Sequence, residues 1–231
     1  MIISLHSPKA GGISFKELLH THFGTGFMPD YKDRPISKSL GERRADVKQF
    51  HERFELEKAN YKKTNVQCIH GHFLPYKYSK LISDPNTIFV TWLRDPLERL
   101  ASHYHFWQRD YNEETAGALR KKMMKESWSF EKFCFSEDVK NIYSQFLWSF
   151  PIEQFDFIGI TEHFDSDAIY FANNFLKLDN IKIERSNVNP SKKKSYYSDS
   201  NFIKKLREFH SKDYELYNYA LNQRAIRMRN S

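Results

Sequence analysis

Three short segments of the chain combine cations, imidazoles and glycines at spacings that suit chemistry on an anionic substrate. The first is His6-Ser7-Pro8-Lys9-Ala10-Gly11-Gly12-Ile13-Ser14. Adjacent glycines let a backbone turn sharply and approach a ligand closely. Where a helix starts directly after them, its exposed N–H groups and its dipole form an anion site, and Lys9 adds a point charge beside it. The residue order excludes a Walker A loop, in which the lysine follows the glycines. The plainer alternative is a strand–turn–helix connection with an incidental lysine.

The second segment is Arg94-Asp95-Pro96-Leu97-Glu98-Arg99-Leu100-Ala101-Ser102-His103-Tyr104. Asp95 suits a helix N-cap, Pro96 the first helical position, and Glu98 completes a capping-box spacing. Arg94 has no such structural task. At the carboxyl end of a buried strand its guanidinium can grip a phosphate in bidentate fashion. Ser102, two turns into the helix, offers a hydroxyl on the same side. The alternative for Arg94 is an ion pair with Asp95 or Glu98. In the third segment, Cys68-Ile69-His70-Gly71-His72-Phe73, strand geometry turns His70 and His72 to one side. Such a pair serves as a metal half-site or supplies a general base. The metal reading needs a third ligand, and no His/Cys/Asp/Glu cluster of suitable spacing stands nearby. The base needs no further partner.

These segments have to be positioned by their neighbours. Apolar β-type runs occur at Ile2–His6, Val66–Ile69, Thr87–Leu93 and Phe157–Ile160, with a weaker one at Ile181–Ile183. Phe15, Leu18, Leu19 and Phe23 repeat with helical period, and Gly24 supplies a stop. Arg44–Lys63 is polar but compatible with a helix, Leu97, Leu100, Ala101 and Tyr104 mark another, and Phe164–Leu176 and Phe202–Leu221 read as helices too. Strands alternating with helices predict an α/β fold, a parallel sheet with helices on both faces. Ligands in such sheets bind beyond the carboxyl ends of the strands, and all three segments fall there.

Composition sets the outer limits. The 231 residues suit one domain, and 40% apolar with 28% charged residues describes a globular chain rather than a disordered or fibrous one. A net charge of +7 favours an anionic partner without choosing among nucleotide, acidic glycan, nucleic acid or membrane surface. Two cysteines, Cys68 and Cys134, build no disulfide framework. No run reaches the length of a membrane span. A cytoplasmic protein is expected, or the soluble portion of an anchored one. The oligomeric state is not legible.

Taken together and in order, the motifs resemble those of carbohydrate sulfotransferases that use 3′-phosphoadenosine-5′-phosphosulfate (PAPS), above all those acting on uronic acid 2-hydroxyls of heparan or dermatan sulfate and their bacterial relatives. The family's PKTGGTS-like loop stands here as Pro8-Lys9-Ala10-Gly11-Gly12-Ile13-Ser14, its HGH segment as His70-Gly71-His72, and its RDPxERLxSxY motif as Arg94 to Tyr104. A later strand end, Gly159-Ile160-Thr161-Glu162, and a terminal helix at Asp213–Leu221 are also similar. The resemblance spans nearly the whole chain and implies one P-loop-like sulfotransferase domain over residues 1–231, without NTPase activity. It implies that Lys9 contacts the bridging oxygen of the phosphosulfate and that the amides of Gly11–Ser14 hold the 5′-phosphate. Arg94 and Ser102 would hold the 3′-phosphate, His72 would take the acceptor proton, and His70 would assist or orient. The basic loop Lys192-Lys193-Lys194-Ser195, otherwise a solvated loop, would cover the nucleotide. The acceptor would be a saccharide hydroxyl, and the scheme needs no metal.

Ala10 and Ile13 depart from the family, which carries threonines there, so the loop relies on backbone amides, Lys9 and Ser14. That departure suits a competing reading, a regulator that binds 3′-phosphoadenosine-5′-phosphate (PAP) and transfers nothing; the paired histidines oppose it. A nucleic-acid binder is disfavoured, since no recognition motif is present and the basic residues are spread along the chain. Thr25–Arg44 and Asp110–Trp128, where acceptor specificity should lie, carry no decisive motif. PAP is expected to stabilise the protein more than AMP does. At roughly 100 times its dissociation constant, the linked gain is about 2.7 kcal/mol. Equal thermal shifts with AMP, ATP and PAP would count against the assignment.

Overall fold

The protein is described here by a computed structural model covering residues 1–33, 38–179 and 199–229. Among the described residues five strands form one parallel sheet: β1 (Ile2–Leu5), β2 (Phe27–Pro29), β3 (Cys68–Gly71), β4 (Ile88–Leu93) and β5 (Phe157–Ile160), in the order β2-β3-β1-β4-β5. Alternation along the strands supplies both faces of the core. On one face Cys68, Val90, Trp92 and Phe157 pack against Phe15, Leu19, Ala168 and Phe171. On the other, Ile3, Leu5, Ile69, Phe89, Leu93, Ile158 and Ile160 meet a larger aromatic cluster that includes Phe54, Tyr78, Tyr143, Phe146 and Tyr217. The expected α/β sheet, covered on both faces, is present.

Ten helices surround it: α1 (Gly12–Phe23), α2 (Leu40–Glu52), α3 (Phe54–Lys63), α4 (Pro96–Arg109), α5 (Ala118–Lys125), α6 (Phe130–Cys134), α7 (Ile142–Phe146), α8 (Phe164–Phe171), α9 (Ser200–Phe209) and α10 (Ser211–Arg229), counted among the described residues. Two long helical runs of the sequence are each a pair. Arg44–Lys63 belongs to α2 and α3, which meet at Arg53, and α2 begins earlier because Ser39 and Glu42 form a capping box. Phe202–Leu221 breaks at His210, a fully buried ring whose Nδ1 accepts from the Asn141 amide and whose Nε2 meets the Cys134 carbonyl. These tertiary bonds offset the helical bonds lost at the break. The weak strand Ile181–Ile183 lies outside the described residues.

β1 is the central strand, with β3 on one side and β4 on the other. Its carboxyl end, with neighbours on both sides, is the topological switch point beyond which ligands of open α/β sheets sit. β2 has no counterpart in the sequence reading, because three residues ending in Pro29 are too few to show a period. Being at the sheet edge, it tolerates the proline. Just past it, the Asp30 amide donates to the His70 carbonyl at 2.9 Å. This brings the Asp30 backbone so close to Gly71 that a Cβ there would lie 1.7 Å from the Asp30 oxygen. Gly71→Ala should therefore force β2 off β3 and cost about 3 kcal/mol, as overpacking against rigid backbone does. A urea midpoint unchanged from wild type would refute that reading.

Candidate functional site

The chain leaves β1 at Leu5, and the His6 amide makes one more ladder bond, to the Gly71 carbonyl at 2.8 Å. The loop that follows places Lys9 at φ 64° and Gly11 at φ 78°, both in the left-handed region. For lysine that conformation costs about 1–2 kcal/mol, so the surrounding packing must impose it. Gly12 opens α1 directly beneath His6, where a Cβ would lie 1.9 Å from the imidazole. α1 has no side-chain cap and no acidic residue in its first turn. Its positive dipole end therefore carries no compensating carboxylate from its own first turn. Ala10 is fully buried in the core beside Phe15, which explains a residue without a hydroxyl there. Ile13, by contrast, is 46% exposed.

The Lys9 ammonium rests 3.9 Å from the centre of the Phe106 ring on α4. Burial, and then repulsion from Arg109 and Arg94, lowers its pKa to about 8. A cation depressed in this way gains most when an anion arrives, since the anion replaces lost hydration and offsets the neighbouring charges. Positive potential is thus concentrated at the end of the loop.

Arg94 follows β4. Its backbone is held by one phenol: the Arg94 amide donates to Tyr143 Oη at 2.9 Å, and that hydroxyl donates to the Arg94 carbonyl at 2.8 Å. The guanidinium reaches Glu98 at 3.0 Å and Glu162 at 3.9 Å, and its Nη1 approaches the Lys9 carbonyl at 3.5 Å. The ion pair with Glu98 envisaged from the sequence is present, and the same contacts aim the fork at the loop. Asp95 caps α4 by accepting from the Glu98 amide at 3.1 Å. The reciprocal half of the capping box comes from elsewhere. Glu162, just past β5, accepts from the Asp95 amide at 3.1 Å and from the Tyr217 hydroxyl at 3.1 Å. Ser102 lies half-buried on α4, one helical repeat beyond Glu98 and on the same face.

The two histidines of the third segment part company. His70 is 1% exposed, its Nδ1 is 2.9 Å from Ser4 Oγ, and its buried Nε2 has no hydrogen-bond partner. Burial, then the neighbouring His72 and Lys16, lowers its pKa to about 3, so it is neutral. His72 is only partly buried, and its Nδ1 donates to the His6 carbonyl. A carbonyl only accepts, so Nδ1 carries the proton and Nε2 keeps its lone pair. Burial lowers the His72 pKa, with the bond to His6 opposing.

His6 and Tyr31 complete the cluster, and the sequence reading gave neither a role. The His6 ring lies 4.4 Å from that of His72 and 5.2 Å from that of His70, and its Nδ1 is 3.2 Å from the Tyr31 hydroxyl. Tyr31 stands edge-on to His72 at 5.0 Å. His6 could have been singled out as the last residue before the loop; Tyr31 follows the strand that escaped detection. Among the described residues no group of three or more His, Cys, Asp or Glu side chains is arranged to hold a metal ion, and no helix is long and apolar enough to cross a membrane. Lys192, Lys193, Lys194 and Ser195 lie outside the described residues.

A sequence model described as "Sulfotransferase family" matches residues 1–220. No curated protein matches the chain. Among solved structures, the chain is similar to the crystal structure of a sulfotransferase from Alicyclobacillus acidocaldarius, at 15% identity over 95% of this chain and 94% of that one, with a TM-score of 0.48.

The buried imidazoles predict acid lability. Burial depresses His6, His70 and His210, the last to about 4. The unfolded chain therefore binds protons that the folded one refuses. The contribution of His70 and His210 is complete above the usual imidazole pKa near 6.5 and is lost as pH falls toward about 3 to 4, and that of His6 is lost in the same direction. Asp213, raised to about 6 by burial, works in the opposite sense and offsets part of the loss. His70→Gln isolates one member. Between pH 7.5 and 5 its urea midpoint should fall less than that of wild type, and equal falls would exclude His70 as a contributor.

Proposed function

The chain belongs to the sulfotransferase family, and from that premise we propose that it moves the sulfuryl group of PAPS to an acceptor hydroxyl, that of a saccharide, with His72 as general base. The observation that carries this reading is the bond from His72 Nδ1 to the His6 carbonyl, which leaves Nε2 as the acceptor nitrogen of a ring tied to the start of the anion-attracting loop. The residues present fit the donor: the start of α1 with no acid in its first turn, Lys9 with its depressed pKa, and a guanidinium held beside the Lys9 carbonyl. When bound, PAPS supplies an electrophilic sulfur and a phosphate leaving group.

Each side chain then has a task. Lys9 and the Gly11–Ser14 amides oppose the negative charge that builds on the leaving phosphate, so they stabilise the transition state more than the ground state. Arg94 and Ser102 hold the 3′-phosphate. Arg94 keeps donors for it, because a guanidinium carries five N–H groups and its contacts with Glu98, the Lys9 carbonyl and Glu162 take one from each nitrogen. Nε2 of His72 removes the hydroxyl proton of the acceptor. His70, neutral and enclosed, acts through packing on the His6 ring. Lys192–Ser195, outside the described residues, are assigned to the nucleotide by resemblance alone.

With Ala10 buried, no side-chain hydroxyl reaches the phosphosulfate from that position, and the burden falls on amides, Lys9 and Ser14. A PAP-binding protein that transfers nothing remains the competitor, favoured by the exposed Ile13. Transfer of labelled sulfate from PAPS to glycan acceptors separates the two. His72→Ala should lose about 10²–10⁴-fold in rate, the usual contribution of a general base, while keeping its stabilisation by PAP. Because the His72 pKa is lowered, the acid limb of the wild-type pH–rate profile should fall below about 6.5, with a plateau above. Near wild-type turnover in His72→Ala would remove the base from this scheme.

A further inference from the structure

Arg94 lies between β4 and α4, where neither a sheet ladder nor a helix serves its peptide groups. Both its N–H and its C=O go to the Tyr143 hydroxyl. Tyr143 is 1% exposed and stands on the short helix α7. The N-cap of α7, Asn141, makes no side-chain capping bond. Asp213 of α10 takes that place: its Oδ1 accepts from the Ser144 amide at 3.2 Å, and its own amide donates to Asn141 Oδ1 at 3.3 Å. Asp213 is fully buried, and a carboxylate at a helix start is favourable when its charge is retained.

The compensating charge is Arg99. It is fully buried on α4, its guanidinium carbon is 5.5 Å from the centre of the Tyr143 ring, and none of its side-chain nitrogens has a hydrogen-bond partner. A guanidinium buried without protein hydrogen bonds is costly unless a nearby charge or ring compensates it. Here the field acts on the Asp213 carboxylate and on the face of Tyr143. Arg99 and Asp213, each part of a sequence motif but without a task in the proposed reaction, thus converge on the residue that clamps Arg94.

We propose that Tyr143 is a positioning residue for Arg94. Braced by Arg99 and Asp213, it sets the guanidinium in the orientation that distinguishes a 3′-phosphorylated nucleotide from one without that group. The inference rests on Arg94 recognising the 3′-phosphate. Its basis is separate, however: an aromatic ring alone would fill the core, so the hydroxyl is needed only for the backbone of Arg94.

Tyr143→Phe keeps the ring and deletes the hydroxyl. Affinities for PAP and AMP would be measured calorimetrically for wild type, Tyr143→Phe, Arg94→Ala and the double variant. The PAP/AMP affinity ratio should fall about 5- to 30-fold in Tyr143→Phe, the scale of losing one or two neutral hydrogen bonds, with AMP affinity unchanged. The double variant should have the same ratio as Arg94→Ala, since Tyr143 acts through Arg94. A role confined to stability would lower the urea midpoint and leave the ratio alone, and that result overturns the proposal. So do additive losses in the double variant. A wild-type protein that does not prefer PAP would sink the 3′-phosphate reading and this inference together. A preference lost in Arg94→Ala but kept in Tyr143→Phe would sink the inference alone.

Discussion

The carbonyl of His6 lies where the chain leaves the central strand, and the His72 ring nitrogen that donates to it ties the anion loop to the end of β3. Much of the site depends on that link. It sets the tautomer of His72 and presses the His6 ring against both neighbouring imidazoles. The same ring occupies the space that a side chain at Gly12 would fill, which lets α1 start close under it. On the other side, Gly71 admits the Asp30 backbone, and the next residue, Tyr31, closes over His6 and His72. Two glycines permit the close approaches, and one hydrogen bond keeps them in register.

Charge in the crevice is arranged so that cations outnumber their partners at the loop and are matched farther back. Lys9 has the Phe106 ring beneath it and Asp110 in its field, but burial and the two arginines outweigh them, and its pKa is lowered. Arg94 shares its fork with Glu98 and Glu162, which hold it in place and limit the repulsion it exerts. Glu162 in turn completes the start of α4 and ties it to Tyr217 of α10. The acid after β5 therefore works as a structural joint among α4, α10 and the arginine, and the resemblance alone gave it no such task.

These arrangements cost stability. Lys9 occupies a left-handed conformation, several imidazoles are buried neutral, and Arg99 and Asp213 are enclosed without a direct ion pair among the described contacts. The offset comes from the aromatic packing on both faces of the sheet, where Phe15, Phe171, Trp92 and Phe157 interlock on one side and Phe89, Phe150, Tyr143 and Phe146 fill the other. Rigid surroundings of this kind suit a site that must hold donors in place before charge develops.

Much was legible in the residues themselves. The apolar runs of β1, β4 and β5, the glycines of the loop, the Asp95 cap and the Pro96 start of α4 are local signals, carried by neighbours a few positions apart. They place Lys9, His72 and Arg94 at one edge of a parallel sheet because side-chain periodicity and βα order leave little choice. What only the tertiary structure decided involves partners far apart in the chain. β2 is three residues long and exists because β3 offers it an edge. α9 and α10 separate because His210 bonds to Cys134 and Asn141. His70 and His72 share one motif, yet only burial and the positions of Ser4 and His6, each 66 residues away, make one a neutral core ring and the other an oriented acceptor. No local pattern encodes such contacts, since a hydrogen bond or a desolvation cost depends on which groups the fold brings within a few ångströms.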